Sequence, residues 1–249
     1  MKPPLEDFLR TPEALPSPVR RSLLLMLAAL PAACVTHPLE GPQGTTVAGP
    51  GTTPAIRPPQ VGQEWVYTVR DVYNRNFVGV VTEKVVAVGD TVRIARTSPT
   101  LGPLPDEIQK PWGTIVQDPH WSPAVRFTKP LPLWPAELRP GWDAQFRDSY
   151  EVWNQPGYDY WWEAVMSAVG WEEITVPAGK FRTFKYQNQI HYQSNELVYR
   201  LDSTRRETIW LAPEIGRWVV RRSEGEYLIE DRGGTMREDN WEWELQSWK

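Results

Sequence analysis

The chain has 249 residues, a formal net charge of −4, one cysteine, 14 tryptophans and 25 prolines. The length admits one large β domain or two small ones. The mild acidity argues against a nucleic-acid partner, which needs a basic footprint, and the lone Cys34 excludes an intrachain disulfide. Abundant tryptophan, β-branched runs and proline punctuation favour strands and turns over helices.

Residues 1–18 are polar and proline-rich without periodicity. They read either as a disordered extension or as a stretch ahead of a start nearer Val19. Arg20 and Arg21 then precede the apolar run Leu23–Leu30, which ends in Pro31-Ala32-Ala33-Cys34. A basic pair, a short apolar core and small residues before a cleavage point make a secretory signal. The run is too short to span a bilayer, which takes about 20 residues as a helix. Residues 1–33 are therefore expected to be a signal peptide, either cleaved ahead of a lipidated Cys34 or, as an ordinary signal, leaving that cysteine free.

Residues 34–60 are rich in Pro, Gly and Thr and read as a flexible tether. As a coil its root-mean-square span is about 25–30 Å. The folded part is expected over residues 61–249. Trp65, Tyr67 and Val69 alternate along a first strand. Phe77–Val88 is a β-branched run turned by Gly89-Asp90 into Thr91–Thr97. Ser98–Pro140 is broken by ten prolines and offers only short strand candidates such as Thr114–Val116. Ala144–Trp153, Tyr160–Val176 (bent at Gly170), the Phe184–Tyr192 alternation, Tyr227–Ile229 and Trp241–Leu245 complete the strands. No helix is expected after the leader.

Two turns frame the most informative stretch, Val176–Arg222. Pro177 fits the second position of a type I turn, and Gly179 is expected at positive φ to close a bulged hairpin. Pro213 and Gly216 repeat the arrangement one residue looser. Val176-Pro177-Ala178-Gly179-Lys180-Phe181, followed by Trp210-Leu211-Ala212-Pro213 with Gly216, resembles a set of bacterial envelope proteins, many of them lipoproteins. Val61-Gly62-Gln63-Glu64-Trp65 and Trp241-Glu242-Trp243 are similar to the same set. The resemblance covers about Val61 to the C-terminus. It implies an all-β fold and no assigned activity. With Val35 after the cysteine, resemblance to bacterial lipoproteins implies outer-membrane placement facing the periplasm.

The halves 61–135 and 136–249 echo each other weakly. Arg70-Asp71 recurs as Arg147-Asp148, Ala87-Val88-Gly89 as Ala168-Val169-Gly170, and Thr114-Ile115 as Thr208-Ile209. Two meanders that cannot bury their apolar faces alone would share one core. The expected fold is a curved antiparallel sheet, half-barrel or open barrel.

His37, His120 and His191 show no metal-ligand spacing, so no metal is expected. No nucleophile elbow, phosphate loop or dinucleotide fingerprint occurs, so neither an enzyme nor a cofactor is expected. Adjacent Glu172 and Glu173 point to opposite faces of a strand and cannot form a catalytic pair alone. Trp161, Trp162, Trp171, Trp210 and Trp218 are the candidate ligand-binding residues, set against a plain role as core. Trp161 and Trp162 are adjacent, so one of them should be exposed. The resulting expectation is a non-enzymatic, lipid-anchored envelope protein with a binding or assembly role. A carrier of a hydrophobic ligand in a half-barrel cavity, and binding or hydrolysis of cell-wall polysaccharide, are the alternatives.

Overall fold

A computed structural model describes residues 41–196, 200–229, 233–238 and 240–249. The expected signal peptide and Cys34 lie outside the described residues. The chain forms a meander of strands: β1 (Thr45–Thr46), β2 (Glu64–Asp71), β3 (Phe77–Ala87), β4 (Val92–Ser98), β5 (Gly102–Pro103), β6 (Glu107–Gln109), β7 (Thr114–Asp118) and β8 (Val125–Pro132). It continues with β9 (Asp143–Val152), β10 (Gln155–Val176), β11 (Gly179–Tyr192), β12 (Leu201–Ala212), β13 (Arg217–Ile229), β14 (Gly234–Arg237) and β15 (Trp241–Trp248). A 3-10 turn, Pro213–Ile215, links β12 to β13.

The curved antiparallel sheet closes fully on itself. Strand β10 pairs with β11 on one edge and with β9 on the other, joining the two ends of the strand order. The result is a closed antiparallel barrel of twelve strands, with β1, β5 and β14 as accessory pairings. Closure removes the free edges an open sheet would expose. Strand β10 manages it through its 22 residues and a bulge between Ala168 and Gly170, where the sequence suggests a bend. Past Ser167 it has outrun β9, and the freed edge is taken by Thr45 and Thr46 of β1, opposite Glu173 and Glu172.

That pairing corrects the expectation of flexible coil up to residue 60. From Gly41 onward the chain is a strap against the barrel. The Val47 amide donates to the Trp171 carbonyl and the Arg57 amide to the Pro213 carbonyl. Glycines let it lie close: a Cβ at Gly44 would stand 2.2 Å from a Glu172 carboxylate oxygen.

The proline-rich segment also carries more strand than its composition suggests. Strand β8 contains Pro130 and Pro132, yet it pairs with β7 and β9 because the prolines sit toward its end, where the β8–β9 ladder has already finished at Phe127. Six barrel strands precede residue 133 and six follow residue 142. The Arg-Asp and Ala-Val-Gly echoes fall on strands of equal rank in the two halves, β2 with β9 and β3 with β10. The Thr-Ile echo falls one strand out of step, on β7 and β12.

Side-chain alternation puts apolar groups inside and polar groups outside. Arg147, Glu163 and His191 are cross-strand neighbours on the outer wall, as are Gln145, Val165, Gln189 and Arg206. This is the reverse of a barrel whose outer band faces lipid. Inside, one apolar cluster gathers around Trp65, Tyr67, Phe184, Trp218 and Trp243, and another around Trp121, Phe127, Trp162 and Ile190. The meander leaves two ends. Hairpins at Pro177 and Gly216 mark one, and the β2–β3 turn at Tyr73 marks the other.

Candidate functional site

Between the two apolar clusters the lumen holds a layer of buried charge. Glu83, Arg96, Glu107, Asp118, His120, Arg205, Glu207, Arg217 and Arg221 are all buried. Each carboxylate meets an arginine. Arg217 Nη1 and Nη2 donate to the two Glu107 oxygens at 2.8 and 2.7 Å, and Nη2 also donates to Glu83 Oε2 at 2.5 Å. Arg96 Nε donates to Glu83 Oε1 at 3.0 Å. Arg221 Nη2 bridges Asp118 Oδ2 and Glu207 Oε1 at 3.0 and 2.8 Å, and Arg205 Nε reaches Glu207 at 3.1 Å.

The β7–β8 connection turns inward to join this layer. His120 lies between Glu83 Oε1 and Asp118 Oδ1, each 2.8 Å from a ring nitrogen. The loop's own carbonyls are satisfied by the same arginines, since Arg96 Nη1 donates to Pro119 O and Arg205 Nη2 to His120 O. The Arg217 guanidinium lies 3.7 Å from the Trp218 ring centroid, and the His120 ring meets Trp218 edge-on at 5.1 Å.

Burial alone would push these carboxyls up, but Arg217, His120 and Arg96 outweigh it at Glu83 and hold the group well below the usual range. Burial is likewise outweighed at Asp118 by Arg221 and His120, and at Glu207 by Arg221 and Arg205. Burial raises the Tyr67 and Tyr186 hydroxyls instead. Ligand atoms of Glu83, Glu107 and His120 lie within 4.8 Å of one another, close enough to hold a metal ion. Arg217 already lies against both carboxylates and supplies the positive charge there. The donor set therefore fits a cation only if the guanidinium is displaced.

Little room is left in the lumen. The cavity between Trp162, Met166, Tyr186, Trp218 and Arg221 measures about 40 Å³. Trp162 Nε1, Trp218 Nε1 and Arg221 Nε, all from residues lining it, have no protein hydrogen-bond partner among the described residues. That volume suits about one to three waters. Pockets for drug-sized ligands run to roughly 300–1,000 Å³.

A more open pocket of about 210 Å³ lies at the Tyr73 end. Val69, Val81, Leu101, Leu104, Trp121 and Trp243 give it apolar walls, and Arg96 of the charged layer also lines it. Trp241 joins them, its ring 5.7 Å from that of Trp243, as expected for residues two apart on one strand.

The candidate tryptophans do not converge on one site. Trp162, Trp171, Trp210 and Trp218 are buried, and Trp161 is 44% exposed, so the adjacent pair divides between the two faces of β10. Trp162 and Trp218 line the small cavity. Trp171 packs on Phe184. Trp210 is on the outer wall under the strap, where its Nε1 donates to Glu172 at 2.7 Å. Glu172 also accepts from Lys185, while Glu173 pairs with Lys180 outside. Trp161 meets His191 edge-on at 4.8 Å, and His191 Nε2 contacts Asp202. Arg147 pairs with Glu163, and Asp71 caps the β2–β3 turn through the Tyr73 and Asn74 amides.

Sequence reasoning missed the charged layer and the end pocket. The available signal was alternation: Glu83, Arg205, Glu207 and Arg221 stand at inward positions of otherwise apolar faces. A charge in that phase must be paired or lost.

No family model matches this chain, and no curated protein matches it. Among solved structures, a candidate lipoprotein from Parabacteroides distasonis ATCC 8503 is similar. It is 16% identical, with a TM-score of 0.53 over 79% of this chain and 99% of the other. A candidate exported protein with a YmcC-like fold from Bacteroides fragilis NCTC 9343 is 12% identical, with the same TM-score and coverage. At such identities the likeness shows a shared fold. The fold and the site describe a closed antiparallel barrel with a filled, charge-layered lumen and a pocket at each end, the one opposite Tyr73 measuring about 660 Å³ between the strap and Trp112, Trp134 and Leu138.

Proposed function

We propose that this chain is a lipid-anchored protein of the bacterial envelope, without catalytic activity, that binds an apolar group at the Tyr73 end of its barrel. The observation that carries the reading is how little room the lumen leaves: its cavity is about 40 Å³, against about 210 Å³ for the end pocket. A long-chain ligand carried through the barrel has no space there, whereas an apolar group entering from the end meets Leu101, Leu104 and the tryptophans. The Ala32-Ala33-Cys34 ending supports the anchor, and the names of the two similar structures, one a lipoprotein and one exported, accord with it. The non-catalytic reading rests on the carboxylates. Each is paired with arginine, which suits a structural pair better than a proton donor. Placement on the outer membrane, facing the periplasm, rests on Val35 and the envelope resemblance.

A second reading is supported by Trp153, Tyr158 and Trp161, exposed aromatics on and beside the first half of β10 that offer flat faces to sugar rings. A fluorescence titration separates the two. Long-chain lipids are expected to shift tryptophan emission in the wild type and to lose that effect in Leu101→Asp, with Trp161→Phe unaffected. A response to oligosaccharide abolished by Trp161→Phe would establish the second reading instead.

A further inference from the structure

The described chain begins at Gly41, and Gly41 lies at one particular place on the barrel. A Cβ there would stand 2.0 Å from a Glu242 carboxylate oxygen. Glu242 is the second residue of β15, next to the Tyr73 end, and it pairs with Arg75 of the β2–β3 turn at 2.6 Å. Six residues lie between Cys34 and Gly41, a path of seven Cα steps. Fully extended they reach about 25 Å. A lipid on Cys34 therefore holds this region of the barrel within that distance of the bilayer. The 26 residues of a free tether would have allowed any orientation, but the strap removes most of them by docking.

The same end carries the exposed aromatic side chains, whereas the exposed apolar residues toward the opposite end are valines, Val61 and Val88 among them. Among the described residues the exposed aromatics are Tyr73, Phe77, Trp153, Tyr158 and Trp161, and all belong to the Tyr73 end. Tyr73 is 70% and Phe77 55% exposed, and both flank the Arg75 turn against which the strap begins. The patch continues across neighbouring strands. Arg237 of β14 stacks over the Tyr73 ring at 4.3 Å, Leu228 of β13, paired with Leu201 of β12, lies on the same face of the β13–β14 hairpin as Arg237, and Met236 lies on its other face. Aromatic rings with polar tips, set beside arginines whose stems are apolar, are the side chains that settle at a lipid headgroup boundary.

We infer that the Tyr73 end is a membrane-facing surface, seated on the headgroup layer of the bilayer that holds the chain's own lipid. The inference rests on the lipid-anchored reading given above. It assigns a partner to the exposed rim: a phospholipid surface, contacted by Tyr73, Phe77, Leu228 and Met236. It also points the mouth of the end pocket toward the membrane.

The test uses acylated full-length protein in vesicles of phosphatidylethanolamine and phosphatidylglycerol. Single cysteines replace Tyr73, Met236 or, at the opposite end, Val88, and each carries an environment-sensitive fluorophore. Lipids bearing a nitroxide near the headgroup are then added. Strong quenching is expected at Tyr73→Cys and Met236→Cys, several-fold above that at Val88→Cys. Equal quenching at all three, or stronger quenching at Val88→Cys, overturns the inference while leaving the anchor intact. Intact mass on the same samples separates the two layers. Without an acyl mass on Cys34 the anchored reading falls and the inference falls with it. Protection of the rim in native membranes but not in pure lipid vesicles would replace the lipid surface with a protein partner and equally overturn it.

Discussion

Arg217 ties two carboxylates from different strands into the buried charged layer. It is fully buried against Glu83, Glu107, Trp65 and Trp218, and the two carboxylates oppose its charge from β3 and β6. Removing one partner of a buried pair leaves an uncompensated charge, at a cost of about 3–5 kcal/mol. Arg217→Met is expected to lower stability by that order in chemical denaturation. Arg217→Met combined with Glu83→Gln and Glu107→Gln should recover a large part of it. If the single variant is as stable as the wild type, the layer is not a coupled network. The pH dependence follows from the same groups. Glu83, Asp118 and Glu207 are held low in the folded chain and are ordinary carboxyls in the unfolded one. The unfolded chain therefore takes up protons first as the pH falls. Their contribution is complete above the ordinary carboxyl value and is lost as the pH descends from there toward the depressed folded values. The thermal midpoint should hold steady down to about pH 5 and fall below about pH 4.5. A midpoint that rises on acidification would contradict the ion-pair assignment.

At the scale of elements, the strap and the turn beneath it form one unit. Gly216 has φ +66° and caps the Pro213–Ile215 turn with its amide on the Pro213 carbonyl. A Cβ there would also stand 2.3 Å from the Arg57 carbonyl oxygen. Gly179, in the other hairpin, has φ +134° with only the Phe181 ring nearby at 3.8 Å. Gly216→Ala should therefore cost more than the roughly 1–2 kcal/mol of the conformation alone, and it should release the strap to proteolysis near Arg57. Gly179→Ala should cost the conformation only and leave the strap protected. Equal costs and equal protection would show that the Arg57 contact carries no energy. The proline-glycine turns and their flanking strands were legible in the sequence because φ restriction and alternation are local. The strap was not, because a segment of Pro, Gly and Thr looks the same free or docked. What docks it is a distant edge, β10 beyond Ser167, that exists only once the barrel has closed. Strand β8 was hidden for a related reason, since its prolines lie beyond the end of the ladder it shares with β9.

At the scale of the molecule, the all-β class followed from composition, but closure did not. An open sheet and a barrel have the same alternation, and only the second edge of β10 separates them. The exposure of Trp161 against Trp162 was legible, because adjacent residues on a strand must part. The convergence of charges from β3, β4, β6, β7, β12 and β13 was not, because their partners are as many as 134 positions apart. The end pocket joins Val69, Leu101, Trp121 and Trp243, which no spacing rule connects. Native mass spectrometry of the protein taken in mild detergent from its own membranes tests the central claim most directly. An acyl mass on Cys34 is expected, together with a retained ligand that is lost in Leu101→Asp but kept in Trp161→Phe. An unmodified Cys34, or a ligand indifferent to Leu101→Asp, would contradict that claim.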